Sequence, residues 1–275
     1  MHTNNLFTRA LVTITAVVLG VVLSAQAPAP APPAQQKPFE PSVGQAGKDV
    51  VWVPTADTLV AKMLDMAKLT PKDYLIDLGS GDGRTVIAAA KRGATALGIE
   101  YNPDMVELST KNAAAAGVNG KATFVKADIF ESDYSRATVL TLFLLPQINL
   151  KLRPTILNMK PGTRVVSNSF NMEEWEPDET ARIETECTSW CTAYLWIVPA
   201  KVQGTWTTPS GDLALTQTFQ MVNGKLGAAA ISNGKLNGTE ISFTAGNVKY
   251  VGQVNGNSIK GTTSAGGSWT ATKRG

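Results

Sequence analysis

The stretch Tyr74-Leu-Ile-Asp-Leu-Gly-Ser-Gly-Asp-Gly-Arg84 sets the fold of this chain. Tyr74 to Leu78 has the length and apolar character of a buried strand. It runs into Asp77-x-Gly79-x-Gly81-x-Gly83, and from Arg84 to Lys91 the spacing turns helical. Glycine adopts backbone conformations that a side chain forbids and lets a ligand approach closely. The helix that follows opens with unpaired amides. Strand, glycine turn and helix in this order therefore predict a ligand-binding βα unit.

The same alternation extends on both sides. Asp57 to Lys68 places Leu59, Val60, Met63, Leu64 and Ala67 at helical spacing, and Pro71 separates this helix from the strand. Downstream, Ala96–Ile99 reads as a second strand. Asn102-Pro103 opens a helix with a good cap and a proline at its first position, and Gly117 ends it. Thr123–Lys126 is a third strand. Val139–Leu145 is a strongly apolar strand ending at Pro146, followed by a Pro-interrupted helical stretch. Pro161-Gly162 turns into a strand over Thr163–Phe170, and Ile183–Cys187 with Thr192–Val198 reads as a closing hairpin. Strands alternating with helices predict an α/β fold with a doubly wound parallel sheet, here over residues 49–199.

After Pro199 helical spacing vanishes. Asn-Gly recurs at Asn223, Asn233, Asn237 and Asn255, a strong short-range signal for hairpins. Asn-Gly-Lys-Leu also occurs twice, at 223–226 and 233–236. Residues 201–275 are predicted to form about seven antiparallel strands in a small meander, sandwich or barrel. Phe219, Met221, Ile241, Phe243 and Tyr250, with Trp206 and Trp269, are read as its core, with contact to a ligand or an acceptor protein as the alternative.

At the N-terminus Arg9, the apolar run Ala10–Leu23 and Ser24-Ala-Gln-Ala27 predict an export signal or a membrane anchor over residues 1–27. The run is shorter than the roughly 20 residues of a membrane span. Pro28 disfavours cleavage after Ala27, so cleavage after Ala25 and retention both stay open. Residues 28–48, rich in Pro, Ala and Gln, read as an extended tether. This predicts an exported or membrane-anchored protein of the periplasm or envelope.

Of the 275 residues the single histidine is His2, in the leader, which excludes Ser-His-Asp and Cys-His catalysis and His-ligated metals from the folded part. Two cysteines cannot build a four-thiolate zinc site, so no metal is expected. Cys187 and Cys191 flank a tight turn, where two Cβ atoms can come within the roughly 4 Å of a disulfide; they form a bond in an oxidising compartment and are otherwise small apolar residues. The net charge of +3 is mild and the basic residues are scattered, which gives no argument for nucleic acid.

Three features of the sheet converge on one ligand. Beside the glycine loop with its Ser80 and Asp82, Glu100 ends the second strand, where an acid accepts both hydroxyls of a ribose. Asp128 follows the third strand, placed to accept from an adenine amino group, with Ile129 to pack on the ring. Open parallel sheets bind ligands beyond the carboxyl ends of their strands, and all three features lie there. A dinucleotide fingerprint would need a small residue where Arg84 stands, and no Gly-Lys-Ser/Thr of a phosphate loop is present. The reading is an S-adenosyl-L-methionine site; a glycine turn with capping acids is the bland alternative.

With these residues the chain resembles the class I, seven-strand S-adenosylmethionine-dependent methyltransferases over roughly residues 50–199. More narrowly it resembles the lineage of the mitochondrial lysine methyltransferases acting on the c-ring protein of ATP synthase and on the adenine nucleotide translocase. The resemblance rests on Trp52-Val-Pro-Thr55, Asp77–Arg84, Gly98-Ile-Glu-Tyr101, Leu142-Phe-Leu-Leu-Pro146 with Asn149 and Leu152, and Gly162–Ser167 with Trp175. It implies a seven-strand sheet whose last strand is antiparallel, and methyl transfer by the 2.1.1 class of enzymes. It implies that Asp77, Gly79 and Gly81 line the methionine end, Glu100 the ribose, and Asp128 with Ile129 the adenine, with Thr55, Ser80 and Asp82 also among the cofactor-binding residues. Trp52, Pro54 and Thr55 would form part of a lid. Leu145, Pro146 and Asn149 would face the acceptor, although Pro146 equally ends a strand and Asn149 equally caps a helix. Trp175 reads as packing rather than substrate contact. The Asn/Asp-Pro-Pro-Tyr element of many amino methyltransferases is replaced by Leu144-Leu-Pro-Gln147, so no amide cradle is expected.

Methyl transfer is an in-line displacement on an activated sulfonium that requires alignment and removal of water, so no catalytic acid or base is nominated. A lysine amine must be neutral, which desolvation and a nearby positive charge both favour. The acceptor is open: a protein lysine, with a membrane or envelope protein as one candidate, or a small molecule. A non-catalytic exported binding protein on the same fold is the third reading. Export also conflicts with a cofactor made in the cytoplasm.

Overall fold

Alternate residues of each central strand pack to opposite sides of one sheet, and this builds the larger part of the molecule. The structure is a computed structural model that describes residues 1–2 and 39–274. The expected leader, apart from its first two residues, and residues 28–38 of the tether lie outside the described residues. The sheet comprises β1 (Tyr74–Leu78), β2 (Thr95–Glu100), β3 (Ala122–Lys126), β4 (Val139–Leu142), β5 (Arg164–Asn168), β6 (Glu179–Arg182) and β7 (Thr192–Ile197). Their order is β3-β2-β1-β4-β5-β7-β6. β1 to β5 are parallel and β7 pairs antiparallel with both β5 and β6.

Leu75, Val139 and Val166 point to one face, where they meet α1 (Asp57–Met66), α2 (Arg84–Lys91) and α3 (Pro103–Ala115) through Leu59, Met63, Val86 and Ala113. Their neighbours Ile76, Leu140 and Val165 point to the other face, against Ile148, Leu152 and Ile156 of α4 (Pro146–Ile156). The two-residue period of a strand does this sorting. Cover on both faces explains why β4 is apolar at nearly every position rather than alternating.

Two element limits differ from the sequence expectation. β4 stops at Leu142: Phe143, Leu144 and Leu145 leave the sheet, and Pro146 opens α4 at its first position, where its missing N–H costs nothing. The strand partnering β7 is Glu179–Arg182, not Ile183–Cys187. It lies at an exposed sheet edge, so burial leaves little period-2 imprint on its sequence. Ile183 N donates to Cys191 O at 2.9 Å and marks the start of a loop, within which Cys187 and Cys191 are disulfide-bonded.

The C-terminal part is a closed antiparallel barrel of eight strands, not about seven: β8 (Gly204–Thr208), β9 (Gly211–Thr218), β10 (Met221–Leu226), β11 (Ala229–Asn237), β12 (Glu240–Ala245), β13 (Val248–Asn255), β14 (Ser258–Thr263) and β15 (Ser268–Lys273). Asn237-Gly and Asn255-Gly make hairpin turns as expected. Asn223-Gly and Asn233-Gly do not: they lie inside β10 and β11, where the pairing register shifts. A Cβ on Gly224 would stand 1.9 Å from Ala214 O, and one on Gly234 2.0 Å from Val222 O. Glycine is used here for close backbone approach at a bulge, a usual device for bending a barrel wall.

Trp206, Ile241, Phe243 and Ile259 fill the barrel, and Trp269 stands edge-on to the stacked pair Phe243–Tyr250. Met221 is exposed, and Phe219 stacks instead on Trp175 of the sheet domain, at 6.1 Å between rings. Trp175 is fully buried and is therefore packing, as its carbonyl accepts from Trp196 Nε1 at 2.6 Å. Gln220 Nε2 donates to Glu176 O at 2.8 Å and Lys235 pairs with Asp178 at 3.0 Å, so barrel and sheet share a specific contact.

Candidate active site

Each loop leaving the carboxyl edge of β1 to β5 contributes to a cavity of about 510 Å³ there, within the usual range of small-ligand pockets. Gly79, Gly81 and Gly83 all have positive φ, at 78°, 52° and 83°. The turn they make lets Gly81 N donate to Glu100 Oε2 at 3.0 Å, while Asn102 N donates to Oε1 at 2.9 Å. The Glu100 carboxylate is thus held in one orientation at the end of β2. Trp52 covers the loop so closely that a Cβ on Gly81 would lie 2.7 Å from its indole nitrogen.

Asp77 is buried near the end of β1 and accepts from Thr141 Oγ1 of β4 at 2.7 Å. Burial pushes its carboxyl up to about 7; the Thr141 hydrogen bond opposes this, and the negative Glu100 and Asp82 add to it. A cationic ligand group beside it would favour the ionised carboxylate and offset the cost of its burial. Ser80 lines the same cavity, and its buried Oγ has no hydrogen-bond partner among the described residues. Asp82 is held by Arg84, whose Nη2 approaches Oδ2 at 2.6 Å while Nη1 donates to Thr55 O at 2.8 Å. Arg84 therefore clips the glycine loop to the segment before α1. Thr55 also accepts from Asn168 Nδ2 of β5 at 3.2 Å.

Asp128 lies beyond β3 with Ile129 beside it on the cavity wall. Its Oδ1 accepts from Phe130 N at 2.9 Å, and its Oδ2 is ion-paired with Lys48. That hydrogen-bonded pair holds the Asp128 carboxyl below the usual range and raises Lys48. Lys48 also sits over the Tyr101 ring at 4.7 Å. Residues 44–52 form a turn closed by Gly44 N to Trp52 O at 2.9 Å, and it lines the cavity. The tether assignment hid this, because a Pro/Ala-rich context carries no period from which to read a contact.

The structure thus gathers Thr55, Asp77, Gly79, Ser80, Gly81, Asp82, Glu100, Asp128, Ile129 and Leu145 around one cavity. Pro146 and Asn149 are not on its wall. Pro146 is occupied in starting α4, and Asn149 is fully buried within α4. Its Nδ2 donates to Phe170 O at 3.2 Å and Asn171 O at 3.3 Å, tying the helix to the end of β5. Phe143, Phe170 and Trp190, which sequence reading passed over, line the cavity together. The only local signal was an aromatic residue between two cysteines.

The model of the ANTKMT methyltransferase domain matches residues 77–179. A protein-lysine N-methyltransferase of Saccharolobus islandicus is 41% identical over 54% of this chain and 94% of its own. The human lysine N-methyltransferase of the ATP synthase c-ring protein is 35% identical, and the chain spans 54% of its length. The crystal structure of an RNA methyltransferase from Salinibacter ruber in complex with S-adenosyl-L-homocysteine matches with a TM-score of 0.51 and 46% identity, over 55% of this chain and 96% of that one. Fold, cavity and these likenesses define an S-adenosylmethionine-dependent methyltransferase. The chain belongs to the ANTKMT methyltransferase family.

Proposed function

We propose that this enzyme transfers the methyl group of S-adenosylmethionine to lysine side chains of a protein. The observation that carries the reading is the likeness to the Saccharolobus protein-lysine N-methyltransferase over nearly all of that protein. The cavity supports it. The part of its wall that follows β4 and β5 and precedes β7 is apolar: Phe143, Leu144, Leu145, Ile148, Phe170 and Trp190. Such an apolar wall suits the alkyl stem of a lysine side chain.

Bound there, the cofactor supplies an electrophilic methyl on a positive sulfonium. The chain's own residues bind and align. Asp77 would hold the ammonium of the methionine end, together with Gly79, Ser80 and Gly81 and with Asp82, which Arg84 fixes. Glu100, fixed by two amides, would hold the ribose hydroxyls. Asp128 and Ile129 would hold the adenine, and Trp52, Pro54 and Thr55 would shield the loop from water. The Cys187–Cys191 bond supports an oxidising compartment and hence an acceptor in the periplasm or envelope.

The test is incubation of the purified protein with methyl-labelled cofactor and fractionated cell extract, followed by acid hydrolysis. Label recovered as methyllysine supports the reading. Label in RNA, the substrate class of the Salinibacter relative, or in a soluble small molecule sinks it.

A further inference from the structure

We propose that Phe143, Phe170 and Trp190 form an acceptor subsite for an alkylammonium side chain, and that the disulfide-closed loop 187–191 exists to hold Trp190 in it. The subsite deepens the protein-lysine reading and rests on it.

The three rings arrive from three places at the same sheet edge. Phe143 follows β4, Phe170 follows β5, and Trp190 precedes β7, whose reversed direction brings its start to that edge. Phe143 and Phe170 stack at 6.1 Å, and Trp190 stands tilted at 5.1 Å from Phe170 and 6.3 Å from Phe143. All three line the cavity that contains the glycine loop. Packing does not explain Trp190, which remains 46% exposed. The indole is left half exposed where it borders the cavity, so its face is open to a ligand there.

The backbone around it is costly. Glu186 and Trp190 both hold positive φ, at 57° and 59°, which non-glycine residues avoid. Such a conformation persists only where the surroundings over-determine it. Here they do: Cys187 is bonded to Cys191, Ile183 N pairs with Cys191 O, and Ser169 N pairs with Thr192 O at 2.7 Å.

Ring faces attract cations, tryptophan most strongly, and N-methylated ammonium groups suit them because they are weakly hydrated. Glu184 and Glu186, exposed on the same loop, add negative charge toward a basic partner. With centroids 5.1–6.3 Å apart the rings pack on one another, so a lysine stem would lie across their cavity-side surface, where methylated forms gain contact rather than lose it.

The experiment titrates the full chain, saturated with S-adenosylhomocysteine, with Nα-acetyl-trimethyllysine amide and with its uncharged carbon isostere, following heat by isothermal calorimetry. The charged ligand should bind about ten-fold tighter than the isostere. Trp190→Ala should abolish that preference and Trp190→Phe should retain most of it. Cys187→Ala/Cys191→Ala should weaken binding of the charged ligand several-fold. S-adenosylhomocysteine affinity should stay unchanged in all three variants, which also shows that they fold. Equal binding of the two ligands, or an unchanged preference in Trp190→Ala, overturns the proposal. So does loss of S-adenosylhomocysteine affinity in Trp190→Ala, which would make the residue a cofactor lid. Methyl transfer to RNA with the ring preference intact would defeat the lysine reading and leave the cation site standing.

Discussion

The parallel sheet and the C-terminal barrel obey the same backbone rules and end with opposite interiors. At the carboxyl edge of the sheet, Asp77, Asp82, Glu100 and Asp128 surround a cavity of about 510 Å³. The barrel is packed with Trp206, Ile241, Phe243 and Ile259, and the pocket beside Phe243 and Trp269 measures only about 50 Å³. An open parallel sheet has an edge where strands end and helices begin, so turns, free amides and acids collect there. A small closed barrel pairs all its strands and fills its centre with side chains. Glycine shows the contrast in miniature: at 79–83 it shapes a loop toward a ligand, and at 224 and 234 it admits a neighbouring strand.

The sharpest way to break this comparison is Asp77→Ala, which should weaken S-adenosylmethionine binding by about 100-fold or more in calorimetry, as expected when a charged partner is lost. If affinity survives, the sheet edge is not the ligand side of the molecule. Next in size, Gly224→Ala should destabilise the fold by roughly 2–4 kcal/mol in denaturant melts, through clash and strain. It should leave cofactor affinity of the remaining folded protein unchanged. A matching loss of affinity would show that barrel and site are coupled.

Proton linkage gives the third effect. Because the Asp77 carboxyl sits at about 7 against an ordinary 3.8, a cationic ligand must draw a proton off it in acid. Cofactor affinity should therefore fall about ten-fold per pH unit below that value. In the protein without cofactor the sign for stability is the reverse of a salt-bridged acid. Between pH 3.8 and about 7 the folded chain keeps a proton that the unfolded chain has lost, so this group's contribution falls as pH rises through that window. Asp77→Asn should accordingly gain stability over the native chain at pH 8, and that gain should disappear below about pH 4. The smallest effect is expected from Lys48→Met: the Asp128 carboxyl should titrate higher by NMR, toward its ordinary 3.8, with cofactor affinity within about three-fold, as for an exposed pair.

Much of the sheet was legible because its signals are local. The limits of α2 at Arg84 and Lys91 match the helical spacing, and the Asn102 cap forms as read, accepting from Asp104 N at 2.9 Å. The limits at β4 and β6 were not legible. Apolar Phe143–Leu145 look like strand because a cavity wall and a core both want hydrophobic side chains. In the site, the acids at 77, 100 and 128 could be placed from strand ends alone. Asn149 could not, since a buried polar tie and a substrate contact use the same amide.

Taken alone, the sequence determined a sheet of alternating βα units, a glycine loop with acids in register, and an antiparallel C-terminal part. Those follow from two-residue and 3.6-residue periods and from the φ angles that only glycine tolerates, all properties of short segments. Tertiary structure decided that Lys48 reaches Asp128, that two Asn-Gly pairs bend a barrel instead of turning a hairpin, and that Phe143, Phe170 and Trp190 meet. Each depends on strand order or closure, which bring together residues far apart along the chain, and no local period encodes that.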